Sequence, residues 1–130
     1  MDVWHVVLTG CVAGGDGGPL AVPRWLREAR QLAAAGRVTG GLLFDGERWV
    51  QLFEGGQEAV DEIARALVAH ADMGAALVLA ESGRGAARCR DWLAAYVEPD
   101  ALATLQARFV GDGEAATDEL VRMMMAADPF

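Results

Sequence analysis

Residues 38–55 read VTGGLLFDGERWVQLFEG, two short apolar runs joined through Asp45-Gly46. An Asp-Gly pair between two such runs is the strongest short-range signal for a β-hairpin, so 38–44 and 48–53 are predicted to pair as antiparallel strands. The second strand carries an amide, Gln51, where a core residue is expected. A buried amide needs hydrogen-bond partners, so Gln51 either bonds within the fold or faces a ligand.

Amphipathic helices are predicted on both sides of this hairpin. Before it, Pro23 marks a helix start, and apolar residues follow at helical spacing up to Gly36: Trp25, Leu26, Ala29, Leu32 and Ala33. After it, apolar residues recur at the same spacing from Gln57 to His70. The glycines and prolines between Gly10 and Pro23 predict an irregular loop ahead of the first helix.

Further strands and a helix are predicted from the remaining apolar runs. Residues 3–9, VWHVVLT, are β-rich and apolar on both faces, as in a central strand. Residues 75–80, AALVLA, are predicted to form another buried strand. Residues 88–96 fit neither period well and stay open between strand and helix. An acidic helix is predicted over 114–127, after a glycine-rich break.

This order of elements predicts an α+β fold. The arrangement is a ferredoxin-like βαββαβ(β) sheet with two helices on one face, plus a C-terminal helix. Residues 1–97 are expected to form the domain, and residues 98–130 a helical extension packed on it. Because such a fold hosts many unrelated activities, function has to be argued from the site residues.

Composition excludes several functional classes. The chain has 130 residues, 53% of them hydrophobic, which is typical of one globular domain. A net charge of −8 argues against binding to nucleic acid or an anionic membrane. No apolar run approaches the roughly 18 residues of a membrane span, and the start MDVWHVV lacks a signal sequence, so a cytoplasmic location is expected.

Catalytic and metal-binding patterns are not found in the sequence. The two cysteines and two histidines lack the spacing of a metal site. No nucleophile, base and orienting group can be assembled, so we do not expect an enzyme.

The hairpin resembles that of the BLUF family, the sensors of blue light using FAD. Residues 38–44 resemble the family's I-T-G-L-L-x-Y, and residues 49–55 resemble F-x-Q-x-L-E-G. Residues 88–92, RCRDW, are similar to the family's R-x-F-x-x-W but one residue shorter, with Cys89 in the phenylalanine position directly after Arg88. The likeness covers about residues 3–96.

The resemblance implies a flavin between the two helices, and light-driven transfer of an electron and a proton from a first-strand tyrosine through the hairpin glutamine. Gln51 matches that glutamine, and Trp92 matches a tryptophan that moves with the signalling state. The tyrosine falls on Thr9, which cannot supply an electron, and the asparagine that holds the ring falls on Ala33. Arg65, one residue from a family contact position, is the remaining candidate for a phosphate contact.

Three functions are compatible with this pattern. The first is a BLUF-like regulatory module that has lost its flavin chemistry, needs no cofactor, and acts through a protein partner or as a small homo-oligomer. The second is a divergent FAD-binding blue-light photoreceptor in which Trp92 or Trp4 replaces the tyrosine. The third is a module that binds another small molecule in the former flavin groove, with Gln51 and Thr9 as its polar contacts.

Structural roles are also predicted for the polar residues of the strands. Gln51 is favoured as a structural amide that bonds to the backbone across the hairpin. His5 is interpreted as a core residue with satisfied hydrogen bonds. Glu54 is predicted to lie at the strand-to-helix turn, its carboxylate near the N-terminus of the second helix.

Overall fold

The predicted hairpin lies inside a five-stranded sheet. The structure, a computed structural model, describes residues 2–12 and 18–126. The elements in chain order are β1 (Trp4–Cys11), α1 (Gly18–Gly36), β2 (Thr39–Phe44), β3 (Arg48–Gly55), α2 (Gln57–Ala69), a 3-10 turn (Ala71–Met73), β4 (Ala76–Ser82), β5 (Trp92–Tyr96), α3 (Pro99–Gly111) and α4 (Gly113–Ala126). The strands are ordered β4-β1-β3-β2-β5, and among these described strands only the β2–β5 pair is parallel. The predicted α+β, ferredoxin-like fold is confirmed.

The turn of the hairpin is fixed by Asp45. Its Oδ1 accepts hydrogen bonds from the backbone N–H of Glu47 at 2.9 Å and of Arg48 at 2.6 Å. Gly46 has a φ of 103°, which a residue with a side chain rarely adopts. The antiparallel pairing of β2 with β3 then sets Leu42 directly opposite Gln51.

The sheet separates two cores. Successive residues of a strand point to opposite faces, so the side chains of β3 divide between them. Trp49, Gln51 and Phe53 lie under α1 and α2, which we call the α1/α2 face. Val50 and Leu52 pack with residues of α3 and α4 on the opposite, α3/α4 face.

Two boundaries differ from prediction at the first helix. It begins at Gly18, and Pro23 lies inside it. Pro23 has no N–H to donate to the carbonyl four residues earlier, so the start of the helix lacks one backbone hydrogen bond. The predicted loop therefore ends earlier than expected, and its residues 13–17 lie outside the described residues.

The prediction of a buried strand at 75–80 was wrong in one respect. The strand forms, but β4 is at the edge of the sheet and pairs only with β1. Leu77 and Val78 are 69% and 53% exposed. Edge position alone does not cause this exposure, since Ala94 and Ala95 of the other edge strand, β5, are buried.

The C-terminal third contains one helix more than predicted. α3 begins with Pro99 in its first turn and buries Leu102, Leu105 and Phe109. That spacing and the N-terminal proline are the sequence signals that could have identified it. Residues 92–96 are strand β5, which resolves the ambiguity over 88–96. α4 matches the predicted acidic helix up to Ala126, and Ala127 lies outside the described residues.

Within the part of the chain that the structure describes, no helix is long and apolar enough to cross a membrane. Over the same ranges, no three His, Cys, Asp or Glu side chains are close enough together to hold a metal ion.

Candidate functional site

Gln51 lies at the centre of the sheet with apolar residues on both neighbouring strands. Leu8 on β1 and Leu42 on β2 are its direct partners in the strand register. Its side chain is 0% exposed. The amide is therefore cut off from solvent, and its hydrogen bonds have to come from the protein or from a ligand.

The partner that the structure gives Gln51 is a tryptophan of helix α1. Trp25 donates its indole N–H to Gln51 Oε1 at 2.6 Å. The edge of the same indole meets the ring of His70, which follows α2, with centroids 5.9 Å apart and an interplanar angle of 74°. Trp25 thus reaches from α1 to the sheet and to the end of α2. The predicted bond from Gln51 to the hairpin backbone is replaced by this side-chain contact.

Several buried polar atoms of the α1/α2 face lack a hydrogen-bond partner among the described residues. They are Gln51 Nε2, His70 Nδ1, Trp92 Nε1 and Trp4 Nε1. Trp92 also stacks on Phe53, with ring centroids 5.5 Å apart and planes 11° from parallel. An unpaired buried donor costs about 1–3 kcal/mol, so this face has polar groups that the fold itself does not satisfy.

Thr9 lies on the opposite side of the sheet from Gln51. Its hydroxyl donates to the backbone oxygen of Trp49 at 2.8 Å and accepts from Gln106 Nε2 of α3 at 2.9 Å. Leu8, one residue earlier, is the β1 residue opposite Gln51. Side chains alternate between the two faces of a strand, so Leu8, and not Thr9, lies on the same face as the amide of Gln51.

The other predicted site residues lie around the rim of the α1/α2 face. Ala33 and Trp92 line one shallow cleft of about 330 Å³, together with the arginines Arg30, Arg37 and Arg90. Arg65 lines a separate groove of about 580 Å³ between α2 and β4. Gln51, Ala33, Trp92 and Arg65 therefore share a face, but the structure does not bring them together around one cavity.

The space between α1, α2 and the sheet is where the resemblance places a flavin. Both Gln51 and Trp25 are 0% exposed, so no water-sized void touches either side chain. A planar ring could contact Gln51 only after Trp25 had moved. As arranged, these residues do not fit a flavin beside the amide.

A second polar cluster, on the α3/α4 face, was not predicted from the sequence. Glu54 is 0% exposed, and its Oε2 lies 2.6 Å from His5 Nδ1. Its Oε1 accepts the backbone N–H groups of Arg88 at 2.7 Å and Cys89 at 3.0 Å. The predicted position of Glu54 at the N-terminus of α2 was wrong, because strand alternation turns the carboxylate to the other face. The signal available was an ionisable side chain among apolar neighbours in each of two strands, His5 in β1 and Glu54 in β3.

The cluster connects the sheet to helix α4. The Arg88 guanidinium lies 3.6 Å from Glu54 Oε2 and donates from Nε to Asp118 Oδ1 of α4 at 2.7 Å. His5 Nε2 meets the backbone oxygen of Gly85 at 3.1 Å. Each ring nitrogen of His5 thus lies within hydrogen-bond distance of an oxygen, and the residue is buried, as predicted for a core position.

The thiol of Cys89 is held in its neutral form by this environment. Burial, and next the negative charge of Glu54, raise the pKa of Cys89 from an ordinary 9.0 to about 12. Cys11, by contrast, is exposed. A thiol with so high a pKa is a poor nucleophile at neutral pH.

Comparison with known proteins agrees with the geometry of the sheet. The family model described as "sensors of blue-light using FAD" matches residues 19–92. The dark-state structure of BlrB, a BLUF protein, is 26% identical, with 96% of each chain covered and a TM-score of 0.72. The photo-activated state of BlsA is 13% identical, with 100% of this chain and 99% of that chain covered and a TM-score of 0.76, a likeness of fold alone.

Larger proteins also contain this fold. A bacterial light-regulated adenylyl cyclase is 12% identical, with 94% of this chain but 39% of that chain covered and a TM-score of 0.63. The comparison with curated proteins gave no match. The family model covers more than half of the 130 residues, including the hairpin that carries Gln51. The chain belongs to the BLUF family.

Proposed function

We propose that this chain is a BLUF-family regulatory module that acts through contacts with a protein partner and without flavin photochemistry. The observation that carries the proposal is the Trp25–Gln51 hydrogen bond of 2.6 Å. The amide oxygen is already used, and the indole fills the space beside it. Residues 1–97 would form the sensor-derived domain, with residues 98–130 packed on it as an extension.

The residues around Gln51 support the loss of photochemistry. The strand residues on either side of it, Leu8 and Leu42, are aliphatic and cannot be oxidised by an excited flavin. The one tyrosine of the sequence, Tyr96, is on edge strand β5 and is 53% exposed. Ala33, which takes the position of the family's asparagine, has no group that could bond to a ring.

The α3/α4 side offers the surface for a partner. Arg88, in the loop between β4 and β5, contacts both the buried Glu54 and Asp118 of α4. A shift of this loop would therefore change a contact of α4. Val110 and Met125, on α3 and α4, are 91% and 72% exposed. With a net charge of −8, the chain complements a partner with a basic surface. A small homo-oligomer is the alternative assembly.

The test is the absorption spectrum of the purified protein before and after incubation with excess FAD and blue light. The proposal expects no flavin band after removal of unbound FAD, and no change under illumination. Affinity capture with Asp118→Ala as the comparison variant would then identify a partner whose binding depends on α4. A stoichiometric flavin band that shifts under light would refute the proposal.

The second candidate function is a divergent flavin photoreceptor. It is favoured by the unpartnered Gln51 Nε2 and Trp92 Nε1, which a ligand could satisfy. In that case Trp25 would have to leave its position, and Trp92 or Trp4 would be the electron donor. The same spectrum decides between the two, because only this candidate predicts a yellow, light-responsive protein.

A further inference from the structure

Trp25 presents to Gln51 what a bound heteroaromatic molecule would present. Its indole is a flat bicyclic ring, it is fully buried, and its ring N–H points at the amide oxygen from 2.6 Å. It approaches from a different element, α1, and reaches the ring of His70 beyond α2. One side chain therefore fills a flat space that has an amide at its edge.

One of the two polar atoms of the Gln51 amide has no hydrogen-bond partner among the described residues. Gln51 Oε1 accepts the indole N–H, whereas Nε2 has no partner among the described residues and is shielded from solvent. An amide side chain can accept and donate side by side. An indole matches only the accepting half, because it has no acceptor next to its N–H. A ring N–H beside a carbonyl would match both halves.

We propose that Trp25 is the internal occupant of a ligand slot, and that the slot binds planar bicyclic lactams once the indole is removed. The proposal rests on the proposed function, in which the wild-type slot is closed to flavin. It adds the residue that closes the slot and the chemical class that the slot selects.

The size of the opening is sufficient for such a molecule. Truncation of a fully buried tryptophan to alanine removes the whole indole, and a cavity of about 150 Å³ is enough to bind benzene in a buried apolar site. The ligand would take the place of the lost ring, and its N–H and carbonyl would pair with Gln51 Oε1 and Nε2.

The experiment uses the full chain, the variants Trp25→Ala, Trp25→Phe and Trp25→Ala/Gln51→Leu, and three probes of nearly equal shape. Oxindole has N–H and carbonyl, indole has N–H alone, and benzofuran has neither donor nor carbonyl. Binding is measured by thermal shift and by titration calorimetry. Trp25→Phe is the matched control, because its ring still fills most of the slot.

The expected result is binding to Trp25→Ala in the order oxindole, indole, benzofuran, with about a fivefold step for each neutral hydrogen bond. Wild type and Trp25→Phe should bind none of the probes. In Trp25→Ala/Gln51→Leu the three probes should bind equally. Absence of binding to a folded Trp25→Ala, or an unchanged order of affinity in the double variant, would overturn the proposal.

A measurement on the wild-type protein keeps the proposal testable if Trp25→Ala does not fold. The indole N–H signal of Trp25, assigned in nitrogen-15 spectra by its loss in Trp25→Phe, should resist exchange with deuterium and shift in Gln51→Leu. Exchange at the rate of a free indole would show that Trp25 does not fill the slot.

The failures of the two proposals can be told apart. FAD binding by wild type would refute the flavin-free function and Trp25 as the residue that closes the slot, whereas the order of probe affinities in Trp25→Ala would still report the selectivity of Gln51. Probe affinities that do not depend on Gln51 would refute the slot proposal and would not affect the proposed function.

Discussion

The buried polar groups on the two faces of the sheet differ in how completely they are hydrogen-bonded. On the α3/α4 face, Glu54 is surrounded by the ring of His5, two backbone N–H groups and the guanidinium of Arg88. On the α1/α2 face, the Gln51 side chain has one hydrogen-bond partner among the described residues, Trp25, and its Nε2 has none there. A polar group that serves folding is enclosed by partners, because an unpaired one costs free energy. Gln51, with one of its two polar atoms unpaired in the described part of the chain, does not meet that condition.

The largest change in stability is expected from a substitution at Glu54. Glu54→Gln should lower the free energy of unfolding by roughly 3 kcal/mol, because a neutral amide weakens the charge-assisted hydrogen bonds from the backbone N–H groups of Arg88 and Cys89 and the contact with the Arg88 guanidinium. Urea unfolding followed by circular dichroism measures the change. Glu58→Gln, on the exposed first turn of α2, is the control and should change it by less than about 0.5 kcal/mol. Equal values for the two variants would contradict the assigned role of Glu54.

The next largest effect concerns the thiol beside Glu54. At pH 8, Cys89 should react with a thiol reagent at least about a hundredfold more slowly than the exposed Cys11, since its pKa of about 12 leaves little thiolate. Reagent kinetics on Cys11→Ser and Cys89→Ser separate the two thiols. Equally fast reaction would show that Cys89 is not enclosed.

The same pKa has a consequence for stability. Because the pKa of Cys89 is raised above its ordinary value of 9.0, the unfolded chain loses this proton first. The neutral thiol therefore stabilises the fold below pH 9, and this contribution is lost as the pH rises toward about 12. Cys89→Ala should flatten the alkaline part of the stability profile.

On the other face, a comparable substitution should have a small effect. Gln51→Leu should change the free energy of unfolding by less than about 1 kcal/mol, because the loss of the Trp25 bond is offset by removal of an unpaired buried Nε2. Urea unfolding of Gln51→Leu and Glu54→Gln under the same conditions compares the two changes in unfolding free energy directly. A loss of about 3 kcal/mol would mean that Gln51 has partners as complete as those of Glu54.

The smallest effect is expected at the sheet edge, where neither face is fully covered. Leu77→Thr on β4 should change stability by no more than about 0.5 kcal/mol, since the side chain is 69% exposed. Leu52→Ala, on the central strand and 0% exposed, is the comparison and should cost about 2–5 kcal/mol. Similar losses of stability in the two variants would show that Leu77 is buried, as in a strand inside the sheet.

The fold was more predictable than the site. The hairpin, α2 and the order of elements follow from periodicity and the Asp-Gly turn, which are local signals. α3 was not predicted, although Pro99 and the spaced apolar residues that follow it are local helix signals. The exposure of β4 was not predictable, since hydrophobicity does not reveal strand order.

At the site, the sequence identified Gln51 and the replacement of its expected partners at Thr9 and Ala33. It could not assign Thr9 to the α3/α4 face, because the register between β1 and β3 depends on pairing across 40 residues. The partnership of Trp25 with Gln51 was hidden for a similar reason. A helical tryptophan with apolar neighbours predicts a core position, not a hydrogen bond to a particular strand.

By itself, the sequence determined the family, the α+β elements and the presence of an amide inside an apolar strand. These depend on residue types at short spacing, where the backbone fixes the geometry. Only the tertiary structure decided that Trp25 occupies the space beside the amide and that Glu54 turns away from α2 toward His5. Both outcomes depend on which residues meet across the sheet, and that is set by the packing of the whole chain.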